Sequence, residues 1–338
     1  MHLPRFKYFR MSSRAEAARL LKEYGSQARL VAGGTDLYPR MKYGLVCPEA
    51  VISLKDVSVK SPEVDESGNL HIDPLMTMAD LGFSTVIRSK FPALADAAVR
   101  VASGQVRNMA TLGGNICLEN RCLYYNQSHT FQFVEPCFKR GGNHCYLFPN
   151  GQKCFAVFVA DSVPALISLG AMITLTDGED IRSLPLQELY TGDALRPLDL
   201  HEGEILAEVL IPAQKSLCGM AFVKFGLRGA VEFAALNLAV ALMMDDDGQA
   251  LTGARLTLGA VAQAPVRLQE TEAALKGKKP APGLFHDIAH LAATEVVPLP
   301  HHGYSSAYLK KCLEVFTRRA LEAAFVNLCS QDLKGVLG

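Results

Sequence analysis

Five cysteines fall within 38 residues of a 338-residue chain: Cys117, Cys122, Cys137, Cys145 and Cys154. Thiolates gathered in one stretch are natural ligands for zinc or for an iron–sulfur cluster, because both bind soft sulfur donors. The spacing Cys122-x14-Cys137-x7-Cys145-x8-Cys154 matches neither the C-x2-C-x2-C run of bacterial ferredoxins nor the paired C-x2-C of a zinc ribbon. On spacing alone zinc, an iron–sulfur cluster and unligated thiols all stay open, and His129 and His144 keep zinc among them. Cys117 reads as a small packed hydrophobe. Cys47, Cys218, Cys312 and Cys329 are scattered singly and read as structural.

Two glycine pairs supply a second kind of chemistry. In "LVAGGTDLYPRMK" (30–42) a strand delivers Gly33 and Gly34, and Thr35 then opens a helix. Glycines let backbone N–H groups approach an anion closely, which suits a phosphate or pyrophosphate. The pattern is neither GxGxxG nor a P-loop. "TLGGN" (111–115) is a second pair, about 80 residues on, with a hydroxyl and an amide beside it. Two such turns could grip one pyrophosphate from two ends; two unrelated turns are the alternative at this level.

The surrounding elements must position these groups. Alternating "RFKYF", the capping box of Ser13 and Glu16, the helix "RAEAARLLKEY", the strand "ARLV" and the strand "AVISL" make a small parallel β-α-β-α-β unit over residues 1–56. Residues 57–215 mix strands and helices, with a strand pair turned at Asp177-Gly178 and an insertion at about 118–158. Residues 216–338 read as strand, helix or strand, a turn at Asp247-Gly248, a strand, and two helices, with "KGKKPAPG" (276–283) as a surface loop. Arg228 and Glu232 are spaced as a helical pair. Lys plus Arg equals Asp plus Glu at 34 each, so no polyanion signature points to nucleic acid. The longest apolar run is broken by Asp161 and Pro164, which argues against a membrane span. "MHLPRFKYFR" has no apolar leader core, so the chain is expected in the cytoplasm with free or ligating thiols rather than disulfides.

"LVAGGTDLYPRMK" followed by "RNMATLGGNI" resembles the FAD-binding subunits of the xanthine oxidase / molybdenum hydroxylase family. "DSVPALISLGA", "EILAEVLIP", "FVKFGLRGAVEFA" and "ARLTLGAVAQAPVRLQETEAALKG" follow in that family's order. The resemblance implies an α+β architecture: a two-subdomain FAD-binding fold of the vanillyl-alcohol-oxidase (PCMH) type, then a C-terminal α+β domain of the CO dehydrogenase flavoprotein type. It implies that Arg29, Leu30, Val31, Ala32, Gly33, Gly34, Thr35 and Asp36 wrap the FAD pyrophosphate and ribose. Thr111, Leu112, Gly113, Gly114 and Asn115 would hold the pyrophosphate from the other side. Asp161 would bond the ribityl chain or ring edge, and Leu206 and Lys224 would complete the pocket, with the Lys224 cation stabilising the anionic reduced ring.

In that family the gap between the second glycine turn and the aspartate is short, roughly ten residues; here Asn115 and Asp161 are 46 apart, and the extra length carries the cysteines. "NRCLYYNQS" with three further cysteines resembles the 4-hydroxybenzoyl-CoA reductase branch, whose FAD subunit carries an extra [4Fe-4S] cluster. That resemblance implies Cys122, Cys137, Cys145 and Cys154 as cluster ligands, with Tyr124, Tyr125, Phe131, Phe133, Tyr146, Phe148 and Phe155 drying the insertion. It implies no catalytic residue here but a redox relay in anaerobic aromatic degradation. Electrons would run from ferredoxin through [4Fe-4S] and FAD to [2Fe-2S] and molybdenum-cofactor subunits, in a dimer of heterotrimers that reduces 4-hydroxybenzoyl-CoA to benzoyl-CoA. The alternatives are an oxidative hydroxylase subunit whose cysteines bind zinc or nothing, and a zinc-stapled dinucleotide-binding module.

Overall fold

A computed structural model describes residues 2–129, 134–214 and 217–336; Phe131, Phe133 and Ser216 lie outside the described residues. Three sheets organise them. The first is parallel, in the order β1-β3-β2, from β1 (Lys7–Arg10), β2 (Ala28–Val31) and β3 (Ala50–Ser53). Ala17 and Ala18 of α1 (Arg14–Tyr24) bury against Ala28, Ala50 and Ile52 on one face. Leu37 and Met41 of α2 (Leu37–Lys42) bury against Val31 and Val51 on the other. Ser13 caps α1 by accepting from the Glu16 N–H, and the Glu16 carboxylate in turn draws on the N–H groups of Ser12 and Ser13 and on the Ser12 hydroxyl.

The second sheet has the order β4-β5-β8-β6-β7, from β4 (Glu63–Val64), β5 (Leu70–Ile72), β6 (Met172–Thr176), β7 (Ile181–Pro185) and β8 (Ile205–Ile211). All its pairings are antiparallel, not mixed: β4–β5 and β6–β7 are chain-consecutive pairs, and β8 lies between them antiparallel to both β5 and β6. The helices α3 (Met78–Phe83), α4 (Thr85–Lys90), α5 (Pro92–Val99), α6 (Gly104–Arg107), α7 (Leu112–Ile116) and α8 (Ser162–Ser168) complete this unit. Its core runs through Leu81, Leu94, Ile116, Phe158 and Leu166, and takes in Met220, Phe222 and Ala239 from the next sheet.

The third sheet is antiparallel, β12-β11-β10-β9, from β9 (Cys218–Phe225), β10 (Leu236–Met244), β11 (Leu251–Gly259) and β12 (Val266–Arg267). The stretch readable as helix or strand is β10. It lies between β9 and β11 and is buried on both faces, so it shows a continuous apolar run rather than alternation. Behind the sheet lie α9 (Gln269–Leu275), α10 (Pro282–Glu295) and α11 (Ser306–Val336). α10 is a third helix beyond the two expected. It starts inside the predicted 276–283 loop, where Pro282 suits a first helical turn that needs no N–H donor. Arg228 and Glu232 are not on a helix; Glu232 instead caps the N–H groups of Leu227, Arg228 and Gly229 in a loop.

The insertion leaves and rejoins this body at one place. Arg121 and Val157 form an isolated antiparallel bridge with both N–H···O distances at 2.8 Å. Asn120 Nδ2 donates to the carbonyls of Ala156 and Gln263 at 3.0 and 2.8 Å, tying the junction to the C-terminal unit. Among its described residues the one regular element is a 3-10 turn at Phe138–Arg140. No described helix is long and apolar enough to cross a membrane.

Candidate functional site

The first glycine turn is a set of donors without acceptors. A Cβ on Gly33 would lie 1.7 Å from the Met109 carbonyl oxygen, so only glycine lets β2 run into this turn against the 109–110 backbone. Gly34 sits at φ +70° and could not carry a side chain without striking Tyr38. Among the described residues, the N–H groups of Gly33, Gly34, Thr35 and Asp36 meet no acceptor. Consecutive free N–H groups around a left-handed residue make a concave anion seat.

The second turn abuts the first, since Met109 and Ala110 lead straight into Thr111, yet it is chemically different. Leu112 and Gly113 donate to the carbonyls of Met76 and Pro74 at 2.9 and 2.7 Å. Gly114 donates to the Thr111 hydroxyl at 3.1 Å and Asn115 to the Thr111 carbonyl at 2.9 Å. Asn115 Oδ1 accepts from the N–H and hydroxyl of Ser162 at 3.2 and 2.6 Å, inside the core. The hydroxyl and amide oxygens are therefore engaged as acceptors within the protein, because a five-residue helix must cap itself and tie down its far end. What this turn offers is close approach: Leu206 lies 3.5 Å from where a Gly113 side chain would begin.

Asp161 and Lys224 come together from α8's N-terminus and β9. The Oδ2–Nζ distance is 2.7 Å and both side chains are over nine-tenths buried. Asn237 Nδ2 donates to the other carboxylate oxygen at 2.8 Å. Lys224 also donates to the carbonyls of Arg100 and Glu232 at 2.9 and 3.0 Å, so its three ammonium hydrogens all have protein acceptors. Burial pushes the Asp161 carboxyl up, against the pull of Lys224. The pair is a closed unit that can act on a neighbouring ring through charge and shape, while Lys224 has no spare hydrogen for it. Asn237 was missed at the sequence level; a lone asparagine inside "AALNLAVALMM" was its signal.

The remaining residues of the first stretch divide between the two faces of β2. Leu30 packs on the α1 side and Val31 on the α2 side. The Arg29 guanidinium folds back onto the carbonyls of Ser26 and Ala28 at 2.7 and 2.6 Å. The Asp36 carboxylate is held by Arg121 and, at 3.7 Å, by Arg40, so its backbone rather than its side chain faces outward as a donor.

Cys122, Cys137, Cys145 and Cys154 line one small cavity of about 20 Å³, together with Tyr125, Phe138, Lys139 and His144. Cys117 is absent from it; it is packed in the core, where burial pushes its thiol up to about 12. His129 is also absent, and its Nε2 meets the Tyr125 carbonyl at 3.1 Å. Burial raises the Cys122 thiol, while the N–H groups of Tyr124 and Tyr125 pull it back. Burial likewise raises Cys154, opposed by the Ala156 N–H and by the charge of Lys139. N–H groups aimed at sulfur favour thiolate, the form that binds metal. Among the described residues, no three His, Cys, Asp or Glu side chains stand close enough to hold a single metal ion. The aromatic walls are in contact: the Phe148 and Phe155 rings are 4.5 Å apart, and those of Tyr124 and Tyr146 are 5.6 Å apart.

Residues 4–214 match the family of FAD binding domains in molybdopterin dehydrogenases, and residues 221–324 match the CO dehydrogenase flavoprotein C-terminal domain. The aldehyde oxidoreductase FAD-binding subunit PaoB of Escherichia coli is 29% identical over 80% of this chain and 86% of its own length. The carbon monoxide dehydrogenase medium chain of Hydrogenophaga pseudoflava is 27% identical over 96% of this chain and 98% of its own. A solved carbon monoxide dehydrogenase from the same organism superposes at a TM-score of 0.78 with 26% identity, covering 97% of this chain and 99% of the solved one. With its free donor turn, its close-packed second turn and its α+β architecture, this chain belongs to the FAD-binding subunits of the molybdenum hydroxylase family, of which the carbon monoxide dehydrogenase medium chain is one.

Proposed function

We propose that this chain is the electron-transfer subunit of a molybdenum-containing 4-hydroxybenzoyl-CoA reductase, holding FAD in the glycine cradle and a [4Fe-4S] cluster in the cysteine cavity. The observation that carries the reading is the convergence of four cysteines, spread over 33 residues, on one cavity that excludes the fifth. The donor set fits: four buried or half-buried thiols, with backbone N–H groups on two of them and a lysine beside one. Four thiols around a cavity, not closed on one ion, suit a cubane, which spreads its ligands over four irons. At about 20 Å³ the cavity holds little more than a water, so the thiols swing outward on uptake, which a segment with one 3-10 turn permits.

Bound here, FAD supplies two-electron chemistry that can be released singly, and the cluster supplies one-electron steps. The chain's own residues do the rest. The N–H groups of Gly33, Gly34, Thr35 and Asp36 seat the pyrophosphate. Leu206 and the Thr111–Asn115 turn press on the cofactor, and the Asp161–Lys224 unit sets a fixed charge pattern beside it. Cys122, Cys137, Cys145 and Cys154 hold the cluster near the surface, where a ferredoxin can reach it. Separate [2Fe-2S] and molybdenum-cofactor subunits, the latter with the substrate, complete a cytoplasmic dimer of heterotrimers.

The test is a visible spectrum of the anaerobically purified chain, with iron and acid-labile sulfide counted on the same sample. Flavin bands with about four irons and four sulfides per chain are expected. Flavin without iron would overturn the reductase reading and leave an FAD subunit of another molybdenum hydroxylase.

A further inference from the structure

Lys139 is the one charged side chain that lines both the cysteine cavity and a neighbouring polar cleft of about 320 Å³, whose walls include Arg29, Arg40 and Glu119. Its side chain is 6% exposed, an expensive place for an ammonium unless it is held. It is held on three sides. Nζ donates to Glu119 at 2.7 Å and to the Ala194 carbonyl, and it stands 5.5 Å from the centre of the Tyr125 ring. Glu119 does not cancel it, because its other oxygen takes Arg40 at 3.2 Å. Glu119 is thus shared by two cations, with Arg40 reaching Asp36 at 3.7 Å as well, so Glu119 screens Lys139 only in part, and Lys139 lines the same cavity wall as Cys154.

We propose that Lys139 is a positioning residue whose fixed charge raises the reduction potential of the cluster and so sets how readily the subunit accepts an electron. The proposal rests on the cluster reading above. An electron entering the cluster adds one negative charge and changes no bond, so a nearby buried cation stabilises the reduced form more than the oxidised one. Glu119 works in the opposite sense by partly neutralising that cation. Lys139 also orders the site mechanically, since it joins the turn after Cys137 to the Ala194 loop.

The experiment is an anaerobic redox titration of the iron-loaded complex, followed by the cluster's spectroscopic signal, for wild type, Lys139→Met, Lys139→Arg and Glu119→Gln. Lys139→Met shifts the midpoint negative, with about a tenfold fall in the reduced fraction at fixed potential. Lys139→Arg restores it, and Glu119→Gln shifts it positive. A purely mechanical role predicts loss of iron or no shift, and no opposite response from Glu119→Gln. Equal midpoints, or shifts of one sign in Lys139→Met and Glu119→Gln, would overturn the proposal. If Lys139→Met fails to retain iron, Glu119→Gln alone decides by the sign of its shift. Absence of iron from wild type sinks the cluster reading instead.

Discussion

The glycine cradle and the cysteine cavity face each other across one chain of ion pairs, from Asp36 through Arg40 and Glu119 to Lys139, and they are built by opposite means. The cradle is fixed by the body of the protein. Gly33 is jammed against the Met109 carbonyl, the second turn spends its N–H groups on Pro74 and Met76, and Asp161 and Lys224 are closed by Asn237 and two carbonyls. The cavity has local ties of its own, with Gly142 against the Pro136 carbonyl, the Phe138 N–H on the His144 carbonyl and Lys139 on Glu119, but it has little core. Its buried apolar cluster is Cys154, Ala156 and Ala194, with Cys122 and Phe138 packed against it. A preformed seat can wait for its ligand; a segment with so small a core draws much of its order from what its thiols bind.

Three substitutions would break or sharpen that contrast. The largest effect is expected from Cys137→Ser, which removes one of the four proposed cluster ligands: iron content falls to near zero while flavin per chain stays at the wild-type level. Equal loss of both would make the insertion part of the FAD fold and erase the distinction. Next, Asp161→Asn leaves the Lys224 ammonium buried without its counter-ion, a change that costs about 3–5 kcal/mol in comparable buried pairs. Urea unfolding of the purified chain should show that drop, and a loss under 1 kcal/mol would mean that water already reaches the pair. The smallest of the three is Gly33→Ala, which forces the turn away from Met109 at about 1–3 kcal/mol. Flavin content should fall on gel filtration while iron is retained, and an unchanged flavin content would mean that this turn is not the seat.

The parts legible in the sequence were those fixed by neighbours in the chain. Gly33 and Gly34 follow a strand within a few residues, α1 carries its own cap, and the β6–β7 turn at Asp177-Gly178 is local. Membership of the family and its α+β fold were legible through motif order. What stayed hidden depends on distant partners. Nothing near "TLGGN" says that Pro74 and Met76 consume its donors, or that Ser162 takes the Asn115 amide. β10 was ambiguous because a strand buried on both faces loses its alternation. Asn237 was legible only as an oddity in an apolar run until the fold set it against Asp161.

The bridge between Arg121 and Val157 has one more consequence. The 35 residues between them start and finish on the same rung. Closing a flexible loop of that length costs on the order of 3 kcal/mol in chain entropy, and doubling the length would add only about 0.6. A scaffold that already keeps two positions side by side can therefore gain, lengthen or shed such a loop at little cost in chain entropy, with Glu119 and the Ala194 loop as the neighbours that must adjust. The cysteine segment is portable in that sense, and a chain with a short turn at the same rung would be the same flavoprotein fold without its four-cysteine cavity.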